Sequence, residues 1–265
     1  MPTRSGGLLK IIHLTDLHLP AVGKDLWGLD SYGRADAILT DIAEGHSDAA
    51  FMVITGDLTD GGDAGAFAWL WNRLQSLPFE TVLMIGNHDD REAMRAALPN
   101  LPDDGQGFAQ GIRDTAEGRF IFLDTFKGDG SAGLYCQARR QWLASRLAEH
   151  PGPHRIFMHH PPFDVGIPYM DRIKLEDAEA FADVLNGHDV RHIFFGHIHR
   201  PCVVSWQGIT CTALPGTNHQ VPLDRARTGT AYSVEPPMYG VVLIDGETTI
   251  VHMDAALDRS PADMP

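Results

Sequence analysis

Short apolar runs alternate with longer amphipathic stretches along the first two thirds of the chain. Six runs have the length and the nearly continuous apolar character of strands buried on both faces; they cover residues 10–14, 50–55, 81–85, 120–123, 155–158 and 191–195. Between them, the apolar spacing of residues 35–42 and 67–74 follows one face of a helix, and further helices are predicted over residues 91–98, 137–149 and 176–185. This alternation predicts βαβ crossovers and a largely parallel sheet.

The rhythm changes after Gly196, where strand-like runs follow one another with no helix pattern among them. The runs cover residues 202–206, 209–214, 241–244 and 249–253. Short turns at Gln207-Gly208 and Asp245-Gly246 predict antiparallel strands that form a second sheet or extend the first.

One long segment and the tail lack this periodicity. Residues 218–238 have few periodic apolar positions and several prolines, which indicates a lid or an oligomer contact. Residues 255–265 are expected to fray. No repeat or linker divides the chain, so residues 1–265 are expected to form a single domain.

Composition and charge narrow the function classes. The 265 residues are 43% hydrophobic, enough for a sizeable core, and 21 basic against 35 acidic side chains leave a net charge of −14. Such a chain repels nucleic acid polymers and anionic membranes, so an anionic ligand must be captured locally. The apolar runs are too short to span a membrane and no signal peptide pattern is present, so a cytoplasmic location is expected.

The three cysteines indicate neither a disulfide framework nor a thiolate zinc site. Cys136, Cys202 and Cys211 form no CxxC pair. If Gln207-Gly208 turns a hairpin, Cys202 faces Ala213 and not Cys211.

Five of the predicted strands are followed directly by a cluster of polar residues. The clusters are Asp16-Leu17-His18, Gly56-Asp57, Gly86-Asn87-His88-Asp89, His159-His160 and Gly196-His197-Ile198-His199. In an open parallel sheet the carboxyl ends of the strands share one edge, where ligands bind. We therefore expect the five clusters to meet in space, with glycines 56, 86 and 196 letting the backbone turn as it leaves the sheet.

The clusters offer seven oxygen and nitrogen donors and no sulfur. One donor each comes from Asp16, His18, Asp57, Asn87, His159, His197 and His199. Seven donors are too many for one tetrahedral zinc and suit two divalent ions that share a carboxylate, with Mn, Fe, Zn or Co as candidates. Taken alone, Asp16 could cap a helix and His159 could be a core residue, but five blocks in order favour the metal centre.

Other histidines are assigned to packing or to the surface. His46, His150, His154, His188, His192 and His252 belong to this group. His160 follows a donor directly, and strand alternation is expected to turn it away from the metals.

The five blocks, in this order, resemble the calcineurin-like metallophosphoesterase superfamily, whose pattern is DxH, GD, GNH[DE], a lone H and GHxH. Residues 87–90 (NHDD), 158–162 (MHHPP) and 214–222 (LPGTNHQVP) are similar to a narrower branch, the class III cyclic-nucleotide phosphodiesterases and bacterial glycerophosphodiesterases. The Ser/Thr protein phosphatases have Asp-Arg-Gly after the GD block and Glu after GNH. Here these stretches are Asp60-Gly61-Gly62 and Asp89, which argues against a phosphoprotein substrate.

The resemblance implies a fold and a set of residue roles. The fold is an α/β protein, a four-layer α/β/β/α sandwich with mixed sheets. One metal ion is held by Asp16, His18, Asp57 and His199, and the other by Asp57, Asn87, His159 and His197. His88 is the catalytic residue, stabilising the transition state or helping to protonate the leaving alkoxide, with Asp89 to orient it. Substrate contacts are expected from Asn87, His88, Phe126, Arg200 and His219.

The implied activity is a two-metal phosphodiesterase that attacks small organic diesters with a metal-bound hydroxide. Glycerophosphodiesters are the first expectation and 3′,5′-cyclic nucleotides the close second. A broad phosphomonoesterase and a non-catalytic scaffold of the same fold are the alternatives, although a scaffold has no chemical reason to keep all seven donors and His88. The resemblance also implies a homo-oligomer, with residues 218–238 as the candidate contact.

Overall fold

Two mixed β-sheets pack face to face in the computed structural model, which describes residues 8–256. The first sheet has the order β11 (Thr248–Ala255), β10 (Met238–Asp245), β1 (Leu9–Leu14), β2 (Phe51–Ile54) and β3 (Glu80–Leu83). The second has the order β4 (Gly111–Thr115), β5 (Gly118–Phe122), β6 (His154–Met158), β7 (Val190–Phe195), β9 (Ile209–Ala213) and β8 (Cys202–Trp206). Most of the tail predicted to fray, residues 257–265, lies outside the described residues.

The described chain has six helices, and all except the shortest cover the outer faces of the two sheets. They are α1 (Ser31–Gly45), α2 (Ala64–Leu74), α3 (Arg91–Ala97), α4 (Gln137–Ala148), α5 (Pro168–Asp171) and α6 (Ala178–Leu185). Helices α1, α2 and α3 begin after aspartates whose carboxylates accept a hydrogen bond from the backbone of the first turn: Asp30, Asp63 and Asp90. None of the helices within residues 8–256 has the length and apolarity needed to cross a membrane.

Three apolar clusters confirm the four-layer order. One cluster joins α1, α2 and α3 to the first sheet, and another joins α4 and α6 to the second. The third lies between the sheets, where Phe51 and Val53 of β2 meet Phe120, Phe157 and Phe194 of the second sheet. The six predicted strands are apolar throughout because one face of each packs on helices and the other on the opposite sheet.

The strand order corrects the expectation of one largely parallel sheet. Strands β1 to β3 belong to the first sheet and β5 to β7 to the second, so the six apolar runs are divided equally. Strand β9 pairs in parallel with β7, although it also forms the predicted antiparallel hairpin with β8. In that hairpin Cys202 is opposite Ala213, as expected, and all three cysteines are free. Strand β4 and the short helix α5 were not predicted.

Polar side chains buried between the sheets each have a partner on a neighbouring strand or loop. His13 Nε2 lies 2.9 Å from Thr55 Oγ1, and His192 Nε2 lies 2.8 Å from Thr212 Oγ1. Burial lowers the pKa of His13 to about 3 and the pKa of His192 to about 4. Both imidazoles are therefore neutral in the folded chain at neutral pH.

These two histidines predict acid sensitivity of the fold. Between pH 6.5 and pH 4 the unfolded chain protonates them while the folded chain does not, so the free energy of unfolding falls as the pH falls. Each histidine contributes about 1.4 kcal/mol per pH unit within its window. In denaturant titrations at several pH values, the free energy of unfolding of the double variant His13→Gln, His192→Gln should fall less steeply between pH 6.5 and pH 4. The slope is the change in the free energy of unfolding per pH unit. His252→Gln, at an exposed position on β11, is the control, and an unchanged slope in the double variant would contradict the assignment.

Candidate metal centre

The five polar clusters meet where the carboxyl ends of β1, β2, β3, β6 and β7 lie side by side. Backbone hydrogen bonds tie the loops after these strands to one another. The His18 amide donates to the Asp57 carbonyl at 2.9 Å, and the Gly196 amide donates to the His159 carbonyl at 3.2 Å. His159 Nδ1, at the end of β6, lies 2.7 Å from the Thr55 carbonyl at the end of β2, so the centre spans the edges of both sheets and not the edge of a single sheet.

Five of the seven predicted donors sit on backbone in the left-handed region. The φ angles are 56° at Asp16, 43° at His18, 49° at Asp57, 69° at His197 and 48° at His199. Within residues 8–256 only two other non-glycine residues have positive φ. Such backbone is costly for residues with a Cβ and persists where packing enforces it, which is typical of functional sites.

The glycines beside the donors serve two different purposes. Gly56 has a φ of 93°, so it provides the sharp turn that the sequence predicts. Gly86 and Gly196 instead permit close approach. A Cβ on Gly86 would lie 2.3 Å from the Asp57 amide nitrogen, and one on Gly196 would press on the Thr15 hydroxyl.

Backbone carbonyls select the tautomers of three imidazoles. His159 Nδ1 donates to the Thr55 carbonyl at 2.7 Å, His197 Nε2 to the Ile173 carbonyl at 3.0 Å, and His199 Nδ1 to the His219 carbonyl at 2.9 Å. In the neutral form of each ring, the other nitrogen then carries the lone pair. This is the arrangement in which neutral imidazoles bind metal ions.

One group of donors consists of Asp16, His18, Asp57 and His199, all buried and with their donor atoms within 4.8 Å of one another. His199 Nε2 lies 3.0 Å from His18 Nε2 and 3.2 Å from Asp16 Oδ1. Two ligands about 2.1 Å from one ion and roughly at right angles would lie about 3 Å apart, so the nitrogen separation fits a shared cation.

A second group lies on the other side of Asp57. His159 Nε2 is 3.2 Å from Asn87 Oδ1 and 3.3 Å from Asp57 Oδ2, and the His159 and His197 rings have centroids 5.1 Å apart. Asp57 Oδ2 is also 3.4 Å from His18 Nε2. One carboxylate oxygen therefore contacts both groups, and the structure brings together all seven predicted donors.

The electrostatics of the centre favour positive charge. Burial opposes ionisation of Asp16 and Asp57, yet the neighbouring imidazoles hold the pKa of both carboxyls below the usual range. Burial likewise disfavours a charge on His159, but Asp57 outweighs it and raises the pKa of that imidazole to about 9. Buried carboxylates that hold positive charge this strongly, together with the nitrogen and oxygen donors, fit divalent cations.

His88 has a different partner from the one expected. Its Nδ1 lies 2.8 Å from Asp60 Oδ1, and Asp60 also lies 3.7 Å from His18 Nδ1. Burial lowers the pKa of His88, but the hydrogen bond to Asp60 and the nearby Asp57 and Asp60 carboxylates together outweigh that effect and raise the pKa to about 9. Asp60 was noted in the sequence only as a departure from the protein phosphatases, and its spacing from the GD block did not reveal the contact.

Asp89, which was expected to orient His88, holds two loops together instead. Its carboxylate accepts hydrogen bonds from the amides of Leu58, Thr59 and Gly86 and from the Thr59 hydroxyl, at 2.9 to 3.2 Å. The loop after β3 turns back on itself here, which brings Asp89 under the loop after β2 and away from the His88 ring. Asp89 thus positions the segments that carry Asp57 and Asn87.

His160 was expected to face away from the metals, and the structure corrects this. Its ring centroid lies 4.5 Å from that of His197 and 4.8 Å from that of His159. Its Nδ1 lies 2.7 Å from Thr125 Oγ1. The chain has already left strand β6 at residue 159, so strand alternation no longer governs where His160 points.

A cavity of about 240 Å³ opens over the donors. Asn87, His88 and His219 line it, as expected for substrate contacts. Among the described residues, Phe126 and Arg200 do not. Arg200 Nη2 pairs with Glu235 Oε1 at 2.7 Å and its Nε donates to the Val221 carbonyl, while Phe126 packs under the Arg91 guanidinium. The substrate roles expected for these two residues are therefore corrected.

Comparisons with known proteins agree with the geometry. The sequence pattern of the calcineurin-like phosphoesterase family matches residues 9–201. A probable cyclic nucleotide phosphodiesterase from Rhodopseudomonas palustris is 37% identical over 96% of this chain and 94% of its own length. The glycerophosphodiester phosphodiesterase GpdQ from Enterobacter lignolyticus is 29% identical over 86% of this chain and 84% of its own.

Solved structures show the same fold at low identity. A dimetal phosphatase from Danio rerio superposes with a TM-score of 0.65 at 14% identity, covering 94% of this chain and 99% of that one. This likeness supports the two-sheet architecture alone.

The shared carboxylate predicts how metal content responds to substitution. Asp57→Ala removes the oxygen that contacts both donor groups, so the variant should retain close to no metal where the unmodified chain is expected to hold two ions, as measured by elemental analysis after dialysis. Asn87→Ala removes a donor of the second group alone and should lower the content by about one ion per chain. Asp36→Ala, an exposed carboxylate paired with Arg73, is the matched control. Two ions bound to Asp57→Ala would refute the bridging role.

Proposed function

The chain belongs to the calcineurin-like phosphoesterase family, and on that premise we propose that it hydrolyses small organic phosphodiesters with the help of two bound divalent cations. The observation that carries the proposal is the position of Asp57 Oδ2, 3.4 Å from His18 Nε2 and 3.3 Å from His159 Nε2. One carboxylate thereby joins two sets of donors at the floor of a cavity, which is the arrangement used for phosphoryl chemistry.

The donors divide into two ligand sets. Asp16, His18, Asp57 and His199 would hold one cation, and Asp57, Asn87, His159 and His197 the other, with Mn, Fe, Zn or Co as candidates. When bound, the cations lower the pKa of a coordinated water and offset the negative charge of the phosphoryl oxygens. They also account for the binding of an anionic ester by a chain whose net charge is −14.

His88, held by Asp60, would supply a proton to the leaving group. Because His88 Nδ1 is held by Asp60, Nε2 is the remaining N–H of an imidazolium that lines the cavity. This N–H can bind a phosphoryl oxygen or donate its proton to the departing alkoxide. Asp60 touches neither reacting atom and acts by orienting the ring and stabilising its charge.

The walls of the cavity favour a diester of modest size. Trp27, Tyr169, Met170, Ile173 and Val221 add apolar side chains to the polar donors that line the cavity. A phosphodiester carries two organic groups, and apolar side chains in the cavity can bury the group that departs as the alcohol. The names of the relatives suggest cyclic nucleotides and glycerophosphodiesters as the two substrate classes.

For residues 218–238, which the sequence left as a lid or an oligomer contact, we propose the role of a lid. Val221, Thr230 and Ala231 of this segment line the cavity, and the Arg172 guanidinium reaches across to the Thr228 carbonyl at 2.5 Å. We propose that the segment encloses the substrate. A homo-oligomer and a cytoplasmic location stay predictions from the sequence.

A direct assay tests the proposed reaction. After chelation and reloading with Mn, Co, Zn or Fe, the protein should hydrolyse bis(p-nitrophenyl) phosphate at least about tenfold faster than p-nitrophenyl phosphate in kcat/KM. Turnover should be lost again on chelation. Hydrolysis of neither ester would refute the enzyme, whereas a strong preference for the monoester would refute only the diesterase assignment and favour a phosphomonoesterase.

A leaving-group comparison tests the pair of His88 and Asp60. An alkoxide needs a proton to depart and p-nitrophenolate does not, so His88→Ala should slow an alkyl diester by about 10²- to 10⁴-fold and bis(p-nitrophenyl) phosphate far less. Asp60→Asn should also slow the alkyl diester more than bis(p-nitrophenyl) phosphate, but by a smaller factor than His88→Ala, and its metal content should be unchanged.

Asp89→Asn is the comparison variant for this experiment. It places an amide NH₂ among four donors, so it should lower the melting temperature and slow both substrates equally. The same leaving-group contrast in Asp89→Asn, and not in Asp60→Asn, would restore Asp89 as the partner of His88.

A further inference from the structure

Trp27 is an aromatic residue held on strained backbone at the rim of the cavity. Its φ is 55°, a conformation rare for a bulky side chain, and 52% of its surface is exposed. The turn around it is fixed by two hydrogen bonds: the Gly28 amide donates to Asp25 Oδ1 and the Leu29 amide to the Leu26 carbonyl, both at 3.0 Å. Strain at an exposed indole is not explained by packing of the core and indicates a role at the cavity.

Two neighbouring rings hold the indole in place. Tyr232, from the lid segment, stacks on it with centroids 4.7 Å apart and planes 21° from parallel. Of these three rings, those of Trp27 and His219 line the cavity and that of Tyr232 does not. The His219 ring lies beside the indole, with centroids 4.7 Å apart and planes 72° apart, and its centroid is 6.2 Å from that of Tyr232. The indole and the imidazole thus form an aromatic corner.

The corner lies one ring away from the metal donors. His219 has its centroid 4.2 Å from that of His199 and 5.0 Å from that of His18. A ligand that places its phosphorus at the donors can therefore extend an ester group past His219 toward Trp27.

We propose that Trp27 selects diesters whose ester group carries a planar aromatic ring such as a nucleobase, which stacks on the indole. The proposal rests on the proposed function and deepens it by naming a specificity-determining residue. A flat ring suits a corner of two nearly perpendicular rings, because it can stack on one and present its edge to the other. A quaternary ammonium group, as in glycerophosphocholine, calls for several rings around it.

A matched pair of substrates isolates the contribution of the ring. 3′,5′-Cyclic AMP and methyl riboside 3′,5′-cyclic phosphate share the reacting diester and differ only in the adenine. Trp27→Ala should lower kcat/KM for cyclic AMP by between about 5- and 150-fold more than for the abasic diester, the range expected from the loss of one base stack. Trp27→Phe should restore most of the difference. Val22→Ala, an exposed residue of the same loop, should change neither value.

Equal losses on both substrates would overturn the proposal, since they would show damage to the site and not loss of stacking. A larger loss on glycerophosphocholine than on cyclic AMP would overturn it in favour of an ammonium site.

Binding provides a readout that does not depend on turnover. Calorimetry should show tighter binding of adenosine 5′-monophosphate than of ribose 5-phosphate, with the difference lost in Trp27→Ala. If the unmodified protein hydrolyses neither these two diesters nor bis(p-nitrophenyl) phosphate, the proposed function fails, and equal affinity for the two phosphates refutes the stacking site separately.

Discussion

The centre depends on hydrogen bonds from imidazoles to backbone carbonyls. Thr55, Ile173 and His219 each present a carbonyl to one ring, and each carbonyl belongs to a different loop. The proton on one nitrogen of each ring decides which nitrogen is free to bind a metal ion. The ligand set can therefore form only when several loops, distant in the chain, are all in place.

The two-sheet architecture supplies those loops and tolerates their strain. Left-handed backbone at a residue with a Cβ costs on the order of 1 kcal/mol, and five of the proposed ligands adopt it. Phe51, Phe120, Phe157 and Phe194 fill the layer between the sheets and fix the strands from which the loops emerge. Trp27 has the same left-handed backbone and lies at the rim of the cavity over the proposed ligands. The proposed substrate selection and the proposed metal binding therefore both depend on left-handed backbone at residues that carry a Cβ.

The donors could be predicted from the sequence because Asp, Asn and His residues follow each of five apolar strands within four residues, in an order that matches a known family pattern. The division into two sheets followed from the family resemblance and not from the periodicity of the chain, since a strand buried on both faces looks alike in either sheet. Strand β4, with the sequence GIRDT, lacks the apolar alternation that marks a strand and forms at a sheet edge by pairing with β5. The exchange of Asp89 for Asp60 as the partner of His88 depended on how one loop folds under another, which residue spacing does not encode. Arg200 was misassigned for a related reason, because its partner Glu235 is 35 residues away.

The central claim is that Asp57 joins two cations between the donor sets. Anomalous diffraction from crystals of the manganese-loaded protein tests it most directly. The account predicts two peaks on either side of the Asp57 carboxylate, one beside His18 and His199 and the other beside His159 and His197. A single peak, or two peaks of which neither contacts Asp57, would contradict it.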